Sequence, residues 1–283
     1  MKIQTILAGA GLILVFGLFF LGKTYNENSK PIAKLEKKIE MFDIQSFILQ
    51  KKETLSPTQR NILTRIEQDF TCNITKTQIE AYNKAASFWK DSIGSNEIYL
   101  HYTGEASKLD NSEKNLTFAA QLFLNSLRDE QNESKLEWES SEAISLFEKA
   151  IAMNPTNDDL KIGLGSCYVF GKGRNGNPQE TMKGIQELLG VVRRDSMNMK
   201  AQLVLGIGGY ISGQYDKAIA RFIKVVESEP DNVEAIVFLG DTYAASGNKT
   251  EAVKWYNISK RYVNDPDYNK EVDKRIKQLQ ENK

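Results

Sequence analysis

The chain has 283 residues, 41% of them hydrophobic and 26% charged, with 37 Lys and Arg balanced by 37 Asp and Glu. Such a composition supports a sizeable core and excludes wholesale disorder. The charge balance argues against a nucleic-acid protein, because displacing counterions from phosphates needs a basic excess. Two cysteines far apart in sequence, Cys72 and Cys167, exclude a disulfide framework and a Cys-rich metal cage. Both read as small buried hydrophobes, with a Cys72–Cys167 bridge in an oxidising compartment as the lesser alternative.

Residues 3–21 are almost wholly apolar and are closed by Lys2 and Lys23. As a helix this run rises about 28 Å at roughly 1.5 Å per residue, which matches a bilayer hydrocarbon core of about 30 Å. The lysines would snorkel to the two interfaces. A single transmembrane anchor over residues 1–23 is therefore predicted. The rival is a cleaved signal peptide, but small residues at −1 and −3 are missing after the run. Orientation stays open. Lys23, Lys30, Lys34, Lys37 and Lys38 favour a cytoplasmic body by the positive-inside rule, yet long domains translocate regardless of flanking charge.

Residues 24–56 read as a linker and a juxtamembrane helix, with apolar residues at helical spacing over 32–52. The run Ser56-Pro57-Thr58-Gln59 marks a helix start: an N-cap, a proline at the first helical position and a capping-box glutamine. Residues 57–112 then read as atypical helical repeats, with helices over 57–71, 76–91 and 95–109. No sustained period-two alternation occurs, so only helices are expected.

The later sequence repeats itself. Leu205-Gly206, Gly213, Ala218 and Phe222 recur 34 residues on as Leu239-Gly240, Gly247, Ala252 and Tyr256. Small Gly206 and Ala218 let paired helices approach closely, large Phe222 and Tyr256 fill the gaps, and Pro230 stops a helix. An upstream copy starts at Leu164-Gly165 and reaches Gly184 about seven residues late. Those extra residues form a Gly-rich, basic loop over 171–178, read as a flexible insertion that can touch a partner. Ala143, Phe147, Ala150 and Pro155 repeat the second-helix pattern once more.

This pattern resembles the tetratricopeptide repeat (TPR), with its 34-residue period. The resemblance implies an all-α fold, a TPR-type solenoid of helical hairpins preceded by the single transmembrane helix. Its units are a degenerate repeat over 113–157, a repeat with the insertion over 158–198, regular repeats over 199–232 and 233–266, and a capping helix over 267–283.

Catalytic features are few. His101 is the only histidine and has no His or Cys at metal spacing, so it reads as a packing residue and no metal or cofactor is expected. The glycine loop fails as a phosphate cradle, since its glycine spacing is wrong and Gly173 stands at the hydroxyl position. Asp158-Asp159 complement a helix N-terminus. The Asn-X-Ser/Thr triplets at Asn73, Asn115, Asn132, Asn248 and Asn257 are read as incidental to an Asn-rich sequence.

What the resemblance does imply is a concave groove lined by the first helix of each repeat. Carried over position by position, its residues are Ile162, Ser166 and Phe170; Lys200, Leu203, Ile207 and Tyr210; and Glu234, Val237 and Asp241. With Leu203, Ile207 and Val237, the groove is expected to be largely apolar and to suit a hydrophobic protein or peptide segment. Its alternative occupant is the chain's own segment 32–52. An anchor followed by repeats also resembles bacterial anchored periplasmic repeat proteins of secretion and cytochrome c maturation. That implies a non-enzymatic adaptor at the inner membrane, its body periplasmic, binding proteins in envelope assembly or secretion. The other reading is a structural subunit of a membrane complex, its groove filled by its own helix or a fixed neighbour.

Overall fold

The computed structural model describes residues 41–174, 178–263 and 265–281. Among them there are helices and no strand. None of these helices is long and apolar enough to cross a membrane. The anchor expected over residues 3–21, and the first part of the helix expected over 32–52, lie outside the described residues.

Thirteen α-helices are described: α1 (Ile44–Glu53), α2 (Pro57–Glu67), α3 (Thr75–Ser87), α4 (Asn96–Asp110), α5 (Glu113–Asp129), α6 (Glu133–Met153), α7 (Asp158–Cys167), α8 (Pro178–Arg194), α9 (Met199–Ile211), α10 (Tyr215–Ser228), α11 (Val233–Ala245), α12 (Lys249–Ser259) and α13 (Pro266–Glu281). From α3 to α12 they pair as antiparallel hairpins, α3 with α4 through α11 with α12. The first helix of each hairpin is called A and the second B.

Local chemistry sets these boundaries. Ser56 and Gln59 cap α2 reciprocally, with Pro57 at its first position, where a missing N–H costs nothing. Asn157, Asn198 and Asn232 each accept a backbone N–H at the start of an A helix, and Asn132 and Asn248 do so for B helices. Two of the asparagines read as incidental triplets, Asn132 and Asn248, are thus helix caps.

Packing explains the repeat signature. A Cβ on Gly206 would stand 2.6 Å from the Phe222 ring, and one on Gly240 would stand 2.8 Å from Tyr256. Both pairs are sixteen residues apart. In the repeat with the insertion, the atom facing a Cβ on Gly165 is Leu188, at 2.7 Å and twenty-three residues on. The seven extra residues therefore lie between helices that pack in the usual way.

The described part of that insertion is held, which corrects the expectation of a flexible loop. The chain leaves α7 through a single π turn (Tyr168–Lys172). Lys172 then pairs with Glu137 and donates to Ser141 of α6 at 2.7 Å. Arg174 donates to the carbonyls of Leu127 and Glu130 at 2.9 and 3.0 Å, which satisfies free acceptors at the end of α5.

Two clusters make up most of the interior. A continuous one runs from Leu100 to Leu239 through the hairpins. A second joins Ile48, Leu55, Leu63, Phe88, Trp89 and Tyr102 among α1 to α4. Helix α1 packs on α4, and Phe42 just before it meets Trp138 of α6 at 5.2 Å between ring centres. Both contacts are with B helices, so the described part of the segment weighed as a groove plug sits on the B side. Cys167 is fully buried, whereas Cys72 is half-buried in extended chain after a 3-10 turn rather than inside a helix; both are free thiols.

Candidate protein-binding surface

Successive A helices touch one another, α5 on α7, α7 on α9 and α9 on α11. Space remains between the B helices α8 and α10. The array is therefore curved, with A helices on the inner side, as stacked hairpins require when one row packs more closely than the other.

The inner side holds a hollow of about 570 Å³ between α5, α7 and α9. Leu124, Ile162, Leu203 and Val204 supply apolar surface, with Gly163 between them. The remaining wall is polar: Gln121 and Asn125 of α5, bonded to each other at 2.9 Å, with Arg128, Asp159 and Lys200. Of Leu203, Ile207 and Val237, from which an apolar groove was expected, only Leu203 lines this hollow, which joins apolar surface to a polar rim. Ile207 is buried at 1% exposure, beneath the surface rather than on it.

The ten carried-over positions divide accordingly. Ile162, Ser166, Lys200 and Leu203 come together at the hollow. Ser166 is mostly buried, and its hydroxyl donates to the Ile162 carbonyl at 2.7 Å. Phe170 is buried under the Arg128 guanidinium, 4.7 Å above its ring. Tyr210 and Val237 are half-buried further along, Tyr210 edge-on to Phe238 at 5.9 Å. Burial and, after it, the nearby Asp241 carboxylate raise the pKa of Tyr210. Asp241 itself accepts from the Tyr256 hydroxyl at 2.5 Å and lies 3.5 Å from Arg275 of α13.

Glu234 takes part in the longest-range link. Arg128 at the end of α5 donates to it at 3.0 Å, bridging from the first of these A helices to the fourth. Lys200 pairs with Asp159 at 3.2 Å, with both side chains about three-quarters exposed. Exposed pairs of this kind contribute about 0–1 kcal/mol, so an incoming polar chain can exchange with them at little cost. The contribution of α5 was missed in sequence because its first-helix pattern lacks a Leu-Gly pair. Its small residues, Ala119 and Ala120, face the core instead.

Among the described residues no group of three or more His, Cys, Asp or Glu could hold a metal. His101 is half-buried, lies 3.3 Å from the Gln45 side-chain nitrogen, and has its pKa lowered by burial. Burial also raises the pKa of the Cys167 thiol, which leaves it an inert packing group.

Residues 210–270 match the family model described as Tetratricopeptide repeat. Among curated proteins none matches the sequence. Solved structures with similar helices include YrrB, described as a TPR protein with an unusual peptide-binding site: 21% identity, 74% of this chain and 97% of that one, TM-score 0.44. MamA from Desulfovibrio magneticus RS-1 is 16% identical over 65% of this chain and 94% of its own, TM-score 0.46. Another MamA structure is 18% identical over 65% and 91%, TM-score 0.44. The matched segment begins at the end of α9 and runs into α13, and the same close packing of a glycine against a large side chain extends upstream to Gly165: the likeness to the tetratricopeptide repeat holds over residues 210–270, within a longer array of helical hairpins.

Proposed function

We propose that this chain is a membrane-tethered scaffold that holds a stretch of another protein in the hollow between α5, α7 and α9, with no chemistry of its own. The observation that carries the reading is the hollow itself: three A helices converge on a concavity with an apolar floor and a rim of amides and weakly held ion pairs. Amide side chains such as Asn125 can bond a peptide backbone whatever its sequence. Arg128, Lys200 and Asp159 can exchange partners with its charged side chains. The tether is the apolar run over residues 3–21, long enough to span a bilayer and bounded by lysines. The body lies on the periplasmic side of a bacterial inner membrane, where it assists envelope protein assembly or secretion.

A photo-crosslinking residue placed at Leu203 or Asn125 of the full chain tests this in intact cells. Adducts with other polypeptides are expected at both positions, absent from exposed Asn61 on α2, and lost from the Asn125 probe on Leu203→Glu. Equal adducts at all three sites, or none in the hollow, would sink the reading. A reporter active on only one side of the membrane, fused after Lys283, tests the orientation, with activity outside the cytoplasm as the expected result.

A further inference from the structure

The outer side of the array carries a second concavity, larger than the hollow, between B helices α8 and α10 over α9, with a volume of about 680 Å³. Its two walls differ. Met182, Ile185 and Leu189 of α8 stand at helical spacing and form an apolar wall, Met182 being 46% exposed. Facing them on α10 are Lys217, Arg221 and Lys224, at positions i, i+4 and i+7 of one helix face, a run of about 10 Å. Among the described residues no carboxylate lines the groove.

Among the described residues the hydrogen-bond partners of these three cations are neutral. Lys217 donates to the Gln214 side chain at 2.8 Å and Lys224 to the Ser196 carbonyl at 2.6 Å. Arg221 donates at 2.5 Å to Gln202, whose own amide nitrogen is bound to the Ser196 carbonyl at 2.8 Å. Gln202 is 3% exposed, so it fixes the guanidinium in place. Arg221 is itself desolvated, and that burial depresses its pKa. A half-buried guanidinium with only an amide acceptor gains when a carboxylate arrives, because a charge-assisted pair replaces a neutral one.

We infer that this outer groove is a second docking site, and that its occupant is an amphipathic helix of a partner protein with a leucine-rich face and a row of glutamates or aspartates along one edge. The apolar face lies on Met182, Ile185 and Leu189, and the acidic edge pairs with Lys217, Arg221 and Lys224. Charge complementarity and the one-sided distribution of apolar surface fix the orientation of that helix about its own axis. An anionic lipid surface suits the charges less well, because the cations line the wall of a recess and not a projecting face. The inference stands apart from the concave hollow and does not rest on it.

The test uses the full chain in phosphatidylcholine nanodiscs and a fluorescent sixteen-residue helical probe, leucine at i, i+3 and i+7 and glutamate along one edge, with empty nanodiscs as the blank. Saturable binding by anisotropy is expected. The triple reversal Lys217→Glu, Arg221→Glu, Lys224→Glu should weaken it at least tenfold, and a probe with lysine in place of glutamate should recover binding to the reversed protein. If the reversed protein does not fold by circular dichroism, Met182→Glu on the opposite wall, an exposed site, should cost a similar factor. Leu203→Glu in the hollow should leave probe binding unchanged. Equal binding of the two probes to the unaltered chain would overturn the proposal, as would insensitivity to Met182→Glu or binding seen only with phosphatidylglycerol vesicles.

Discussion

The regular hairpins α7 to α12 and the hairpin α3–α4 have the same arrangement of paired helices, yet they hold it by different means. In the regular part a glycine faces a large side chain at fixed spacing, as with Gly206 against Phe222 and Gly240 against Tyr256. In α3–α4 aromatic rings do most of the filling. Phe70 stacks on Tyr82 at 4.5 Å, Tyr82 lies 6.0 Å from Tyr102, and Trp89 is fully buried. Their junction is a single π turn (Phe88–Ile93) closed by Gly94 at φ +76°, and in this it is like the exit from α7 (Tyr168–Lys172). The repeat signature therefore records how closely two helices approach, while the hairpin itself survives without it.

The sharpest break in this comparison comes from removing one large side chain in each region. Phe222 is fully buried and stacks on Phe238 of the next hairpin at 5.8 Å, inside a cluster that runs through many helices. Phe222→Ala is expected to cost about 3–5 kcal/mol. Protection from hydrogen exchange should fall across the neighbouring hairpins, since each repeat leans on the next. Trp89→Ala should cost a comparable amount, but with the loss of protection centred on α1 to α4, whose cluster is separate. Exchange measured by mass spectrometry checks both; loss spreading equally from the two sites would remove the distinction.

A smaller effect separates the glycines. Gly206→Ala forces a methyl against the Phe222 ring and should destabilise by about 1–3 kcal/mol. Gly104 of α4 meets only the edge of Phe123, at 3.3 Å. There the better helix propensity of alanine, up to about 1 kcal/mol, offsets a slight crowding, so Gly104→Ala should be near neutral. Urea denaturation of the two variants decides it, and a Gly206→Ala protein as stable as the parent would refute the close-approach account.

What was legible in sequence follows the same division. The hairpins from Leu164 onward could be read because Gly, Ala and Phe or Tyr are forced into place by contact. Residues 57–112 could be read as helices but not as a packed pair, since aromatic filling has no fixed spacing. The site was legible in part. Lys200 and Leu203 reach the hollow because helical periodicity puts them on its face, while Ile207, one turn on, is buried under the surface. Arg128 was invisible, because its role depends on Glu234 more than a hundred residues away. The basic insertion looked loose only because a sequence does not show that Arg174 finds the end of α5.

A pH-dependent effect sits at the seam between the two regions. Glu139 of α6 is 1% exposed, and its Oε1 accepts from Ser126 of α5 at 2.9 Å. Its Oε2 is buried without a hydrogen-bond partner. Burial raises its pKa to about 7, helped by Glu130 and Glu97 and opposed by Ser126 and Lys135. The folded protein therefore holds this proton between pH about 4.5 and about 7, where the unfolded chain has released it. Stability consequently falls as pH rises through that window and levels off above it. Glu139→Gln keeps the shape and removes the charge. It should match the parent near pH 4 and exceed it by about 3 kcal/mol at pH 8, since the rise from 4.5 to about 7 is worth about 1.4 kcal/mol per pKa unit. Denaturation curves at the two pH values measure the difference. An advantage that did not grow with pH would mean that the carboxyl ionises in place, with water or Lys135 reaching the oxygen that the packing leaves unpaired.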